Sequence, residues 1–169
     1  LQPKVENHAA LRELAGESLA SIRVVTLRWT AGEVGVPVST LGFAAGAALT
    51  SNFCDGGLHV VIHRDGSLGK AYAKDGICSP PCSAHPITGY PIAGFKIPQW
   101  ESVKSLVKRA HETLLELPMI GWDVVVTPEG PLLIEGNLGF GVGIQLTAET
   151  PFGFTGIPQR ALDFIEETS

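Results

Sequence analysis

The residues best placed to do chemistry are Asp123, Glu135 and Asn137. They lie in Gly121-Trp122-Asp123-Val124-Val125-Val126, the turn Thr127-Pro128-Glu129-Gly130, and Pro131-Leu132-Leu133-Ile134-Glu135-Gly136-Asn137. Two apolar runs around a Pro/Gly turn read as a β-hairpin. With Thr127 opposite Pro131 across a three-residue loop, Val125 opposes Leu133 and Asp123 opposes Glu135. Opposed residues share a face with Cβ atoms roughly 5 Å apart, and like charges there repel. Asn137, two residues beyond Glu135, joins that face. Two facing acids in an apolar hairpin need a shared proton or a cation. Oxygen donors without His or Cys suit Mg²⁺, which also takes phosphate oxygens and water. The same acids also read as solvated strand ends, and a one-residue slip would put them on opposite faces.

Other residues carry weaker signals. Arg23 in an apolar strand is costly to bury alone; its planar fork suits paired phosphate oxygens, or else a nearby acid. Arg28, five residues on, should face the other way and reads as structural. Ser51-Asn52-Phe53-Cys54-Asp55-Gly56-Gly57 is either a turn or a place where backbone approaches a ligand. Cys78, Cys82 and His85 have tolerable zinc spacing but lack a fourth ligand, so a proline-rich loop with free thiols is the alternative. His59 and His63 alternate with Val60 and Ile62 and share a strand face, as structural residues. Gly139-Phe140-Gly141-Val142-Gly143 lacks dinucleotide-binding spacing and reads as a loop, either beside phosphate or plain. Trp100 and Trp122 read as packing aromatics.

These residues must be positioned by a single domain, which is what 169 residues accommodate. A 44% hydrophobic and 17% charged composition describes a well-buried globular chain. The net charge of -5 argues against nucleic acid as the main partner. No run approaches the roughly 20 apolar residues of a membrane helix, and no leader pattern opens the chain. Three cysteines give no disulfide framework and fit a reducing, cytoplasmic setting. The start at Leu1, without Met, suggests a piece of a longer protein.

Helices are expected near 8–14, over 100–117 up to Pro118, and over 158–167. The middle one keeps Val103, Leu106, Val107, Ala110, Leu114 and Leu117 on one face. Strands are expected over 21–29, over 34–43 (weakened by Gly35 and Pro37), and as a hairpin of 58–64 and 70–74. Five prolines between Asp75 and Gln99 predict a long irregular loop, functional or mobile. The pattern is α+β, helices packed on an antiparallel sheet.

The hairpin, ending in Glu135-Gly136-Asn137 with Asp123 on the strand before, resembles the late strands of an ATP-grasp domain. More narrowly, the chain resembles the sugar-transfer-associated ATP-grasp family of bacterial polysaccharide gene clusters. The resemblance is carried by Gln2-Pro3 with Asn7-His8, Ser21-Ile22-Arg23-Val24-Val25-Thr26, Asn52 with Gly56-Gly57, His85-Pro86-Ile87-Thr88-Gly89, Ile97-Pro98-Gln99-Trp100 and Gly121-Trp122-Asp123. It implies an ATP-binding enzyme whose superfamily phosphorylates a carboxylate to an acylphosphate, which an amine or other nucleophile then attacks. It also implies that Asp123, Glu135 and Asn137 hold Mg²⁺ and that Arg23 contacts phosphate or the acyl group. Asn52, Gly56 and Gly57 would line the phosphate and acceptor side, with Gln2 near adenine.

Residues 1–169 would then be the C-terminal part of an ATP-grasp domain, with the glycine-rich flap and phosphate-binding lysine expected before Leu1. The expected function is an ATP- and Mg²⁺-dependent ligase acting on an unidentified carboxylate and nucleophile, without nucleic acid or membrane. Its expected protein partners are a missing N-terminal subdomain or a homo-oligomer. The alternatives are a non-catalytic nucleotide- or partner-binding fragment and a different divalent-metal phosphoryl-transfer enzyme.

Overall fold

A computed structural model describes residues 4–29, 32–44, 57–73, 80–114 and 116–140, together with Gln159, Asp163 and Glu166. The expected closing helix over 158–167 falls almost wholly outside the described residues. Six strands form one antiparallel sheet: β1 (Ser21–Arg28), β2 (Val34–Ala44), β3 (Gly57–Ile62), β4 (Leu68–Ala73), β5 (Met119–Thr127) and β6 (Gly130–Asn137). Their order is β4-β3-β2-β1-β5-β6. β1, rich in β-branched residues, therefore sits centrally between β2 and β5.

The alternation of β1 sorts the sheet into two unlike faces. Ile22 and Val24 point to one side, where Leu41, Phe43, Leu58, Val60, Val124 and Val126 join them in the main core. The helices α1 (Ala9–Ala15) and α2 (Trp100–Glu112) cover that side with Leu11 and Leu14, and with Trp100, Val103 and Val107. On the other side Val25, Leu27 and Val38 form only a small cluster, with Trp29, Met119 and Phe140 against it. Burying a Val, Leu or Ile side chain stabilises by about 1.5–3 kcal/mol. Among the described residues the fold is therefore held mainly by the helix-covered face, and the opposite face carries the smaller apolar cluster.

Pro37, expected to weaken β2, is accommodated by an irregularity. The β1–β2 ladder shifts register between Val25 and Leu27, where Val38 and Gly35 are their partners. The β2–β3 ladder begins only at Thr40. The missing N–H of Pro37 thus falls where neither ladder needs it.

Helix α2 ends at Glu112, earlier than the proline at 118 suggested. Both the backbone N–H and the hydroxyl of Thr113 donate to the Ala110 carbonyl. That carbonyl is then spent at short range and the regular i→i−4 ladder stops. Leu114, expected on the buried face, is 41% exposed as a result.

The proline-rich stretch is irregular over residues 80–99, as expected, and it is packed against the sheet. Ala71 and Cys82 exchange backbone hydrogen bonds on the outer side of β4, and the Leu68 N–H donates to the Phe95 carbonyl. Ile92 and Ile97 enter the main core. The loop protects the edge of β4 by pairing with it.

Candidate functional site

The hairpin brings its acids together by a route the sequence did not reveal. Its loop holds two residues, not three, because Thr127 pairs with Gly130 and Val125 with Leu132. Extended without interruption, that register would set Asp123 opposite Ile134. A bulge between Asp123 and Val124 takes up Ile134, so Asp123 pairs with Glu135 after all. Bulges re-aim side chains in this way beside functional sites.

The register then builds a polar row across the functional face. Arg23 pairs with Asp123 on one side and Thr40 on the other, and Asp123 pairs with Glu135. Asn137 pairs with Gly121, one row along. Arg23 grips Asp123 with both ends of its fork, Nε–H to Oδ1 at 2.6 Å and Nη2–H to Oδ2 at 3.0 Å. Asn137 Nδ2 donates to Glu135 Oε1 at 2.9 Å and more weakly to Asp123 Oδ2 at 3.5 Å. Phe140 closes the neighbouring end: a Cβ on Gly121 would lie 2.6 Å from its ring.

The two carboxyls titrate apart. Burial pushes Asp123 above the ordinary carboxylate value; the Arg23 guanidinium pulls it back, and Glu135 pushes it up again. The Asn137 amide, then Asp123, hold Glu135 below its ordinary value. The first proton taken up by the pair therefore settles on Asp123. This is the behaviour of like charges held too close for both to ionise freely.

The donor set suits a hard cation. Two carboxylates and an amide converge, and Asn137 can present its oxygen by a half-turn of the amide. The guanidinium already satisfies the need for positive charge at Asp123. Two of its five N–H donors are engaged there, which leaves capacity for anionic oxygens. Among the described residues no cluster of three or more His, Cys, Asp or Glu side chains exists. Mg²⁺ held by so few side chains typically adds phosphate oxygens and water.

Other residues singled out from sequence go elsewhere. Gln2, Asn52, Asp55 and Gly56 lie outside the described residues, as do Cys54, Cys78, Gly141 and Gly143. Gly57 pairs with Ala44 at the start of β3, three strands from β5 and so about 14 Å across the sheet; it does not join the carboxylates. Arg28 is buried and donates to the carbonyls of His111 and Gly32, confirming a structural role near the end of α2. His85 stacks on Phe43, and its Nδ1 accepts the N–H groups of Ile87 and Thr88. The Cys82 thiol points to the Ala71 carbonyl. These partners describe a packed loop rather than a zinc centre. His59 lies in β3 opposite Gly42 and Tyr72, on the polar side of the sheet.

Thr40 escaped the sequence reading, and Phe140 was read only as part of a loop, not as the residue that closes the row. Thr40 becomes visible once β1 and β2 are paired, since it opposes Arg23; the bare Cα of Gly121 signals how close the Phe140 ring comes. A cleft of about 830 Å³ lies between Lys4, α2 and the Pro128–Leu132 end of the hairpin. It includes none of the polar-row residues, so the chemistry argues for the row and not for the cleft.

A six-stranded antiparallel sheet with few helices is compatible with an ATP-grasp subdomain. The family model described as sugar-transfer associated ATP-grasp matches residues 1–153, and the chain belongs to that family. An ATP-grasp-type, ATP-binding function follows from the membership. No curated protein matches the chain. Among the described residues no helix is long and apolar enough to cross a membrane.

Proposed function

We propose that this chain forms the Mg²⁺-ATP side of an ATP-grasp ligase, as the C-terminal part of its catalytic domain. The observation that carries the reading is the convergence of Asp123, Glu135, Asn137 and Arg23 on one sheet face. The two carboxylates and the Asn137 oxygen would hold Mg²⁺, which when bound neutralises phosphate charge. Arg23 would orient the transferred phosphoryl group or the acylphosphate through its remaining N–H donors. In the reaction, a substrate carboxylate oxygen bonds to the γ-phosphorus as the bond to the ADP oxygen breaks. An amine or other nucleophile then takes the acyl carbon and inorganic phosphate leaves. Gln2 near adenine, and Asn52, Gly56 and Gly57 on the acceptor side, complete the proposed site, with the polysaccharide setting and cytoplasmic location carried by the family resemblance.

The fork between Arg23 and Asp123 favours a second reading. The guanidinium permanently replaces the cation, and the chain is a non-catalytic module. Calorimetric titration with Mg²⁺-ATP separates the two. The ligase reading expects binding that requires the metal and weakens at least tenfold in Glu135→Gln, together with lost turnover in the full-length enzyme. Equal binding with and without Mg²⁺, or unchanged turnover in Glu135→Gln, would refute it.

A further inference from the structure

Behind the polar row lies a buried hydrogen-bond chain that the proposed reaction does not use. His111, in the last turn of α2, has no exposed surface. Its Nε2 lies 2.8 Å from the Leu117 carbonyl oxygen. A carbonyl only accepts, so Nε2 carries the hydrogen. Nδ1 of the neutral ring is then an acceptor, 2.7 Å from the Thr26 hydroxyl, which donates to it. The hydroxyl in turn accepts from Trp122 Nε1–H at 2.7 Å. The Ile120 carbonyl, 3.3 Å from the same oxygen, is a second acceptor for the Thr26 hydrogen; the shorter contact to the buried neutral ring sets the direction of the chain. The Arg28 guanidinium, donating to the His111 carbonyl at 2.8 Å, ties the helix end to β1.

The indole is the working end of this chain. Trp122 precedes Asp123 on β5 and pairs with Gly136, which stands between Glu135 and Asn137. The ring lies against that glycine so closely that a Cβ there would meet Trp122 Cζ3 at 2.8 Å. One edge of the indole is therefore fixed to β1 through Thr26, while the other bears on β6. Asp123, Glu135 and Asn137 all project from the backbone segments it spans, on the opposite side of the sheet. An apolar aromatic could fill the same space but would lack the directional bond that sets the ring's angle. A satisfied buried polar network specifies a single arrangement in that way.

We infer that His111, Thr26 and Trp122 are positioning residues that hold Asp123, Glu135 and Asn137 at cation-binding spacing from behind the sheet. The metal arm of the inference rests on the Mg²⁺ reading above; the positioning arm does not. Mn²⁺ binding followed by electron paramagnetic resonance reads the first. The ¹⁵N resonances of Trp122 Nε1–H and Arg23 Nε–H in the metal-free protein read the second. Thr26→Val keeps the shape but removes the hydroxyl, and Thr26→Ser restores it. Loss of a partner that orients metal ligands typically weakens metal binding about 10–100-fold. Thr26→Val should bind Mn²⁺ about tenfold more weakly and shift the Arg23 Nε–H signal, with Thr26→Ser returning both toward wild type. Trp122→Phe, which loses the donor and the ring over Gly136, should show the same two changes and serves if Thr26→Val does not fold. His85→Gln removes another buried imidazole, beside Phe43, and should alter neither readout. A folded Thr26→Val with wild-type Mn²⁺ affinity and an unmoved Arg23 signal overturns the inference, as does an equal effect of His85→Gln. If wild type itself binds no Mn²⁺, the metal reading fails, and the Arg23 signal alone then decides the positioning role.

Discussion

Removing Arg23 tests whether the polar row is an electrostatic unit. Arg23→Met preserves much of the side-chain stem while deleting the fork that holds both oxygens of Asp123. With charge centres about 4 Å apart and an effective dielectric near 20, the attraction is about 4 kcal/mol. The two side chains keep 29% and 19% of their surface in water, so screening and desolvation reduce the net cost to about 2 kcal/mol. In a chain of this size that lowers the melting temperature by about 4–8 °C.

The loss should also depend on pH. Burial and Glu135 already raise Asp123, and Arg23 is the group that lowers it. Without Arg23 its folded pKa moves further above the unfolded value, so the folded state takes up a proton more readily. Stability relative to wild type should then be regained as pH falls through that folded value, the opposite of an acid whose pKa folding depresses. The assay is denaturant unfolding of wild type, Arg23→Met, Asp123→Asn and the double variant at neutral and mildly acidic pH. Each single variant should cost about 2 kcal/mol and the double variant about the same, giving a coupling of about 2 kcal/mol. Additivity within about 0.5 kcal/mol would show that the fork contributes nothing and would refute the reasoning.

Gly136→Ala forces a Cβ to within 2.8 Å of the Trp122 ring; denaturant unfolding should show a loss of about 1–3 kcal/mol, the usual cost of overpacking, and no loss would mean the ring is not held in place. Burial holds the His111 imidazole below its ordinary pKa, the Leu117 carbonyl opposes this, and Arg28 adds to it. Its contribution is complete above the unfolded value near 6.5 and fades as pH falls from there towards the folded value; His111→Gln should flatten that part of the stability curve, and an unchanged slope would discount the residue. Deleting Ile134, which is 49% exposed and has no ladder partner, leaves Asp123 opposite Glu135 but removes the bulge. The variant should fold with an unfolding midpoint close to wild type and bind Mn²⁺ more weakly, whereas full affinity would show that the bulge does not aim Glu135.

The strands were legible because their signals are local. β-branched residues in 21–28 and the glycine turn near 66 need no knowledge of partners, and Asn7-His8 sits just where α1 begins. The end of α2 was misplaced because it depends on a side chain, Thr113, competing for a carbonyl, and periodicity carries no trace of that competition. The proline-rich stretch, expected as an irregular loop, is irregular over 80–99 but also packed, which composition does not signal. Prolines exclude regular elements, but they do not prevent Ile92 and Ile97 from packing or Cys82 from pairing with β4.

The site itself shows how a correct pairing can follow from an incorrect register. Hairpin reasoning with a three-residue loop sets Asp123 opposite Glu135, whereas the real turn is one residue shorter and by itself would set Asp123 opposite Ile134. Ile134 is then absorbed as the extra residue of a bulge, and the two offsets cancel. A two-residue turn alone would place Glu135 on the helix-covered face among Val124, Val126 and Leu133, where an unpaired carboxylate has no partner and a high desolvation cost. The bulge lets Leu133 enter that core while Glu135 reaches Asp123 and Asn137 on the other side. The core's demand for Leu133 and the site's need for Glu135 have the wrong spacing for one regular strand. A single half-exposed isoleucine reconciles them, which is why turn chemistry alone could not have located the acid.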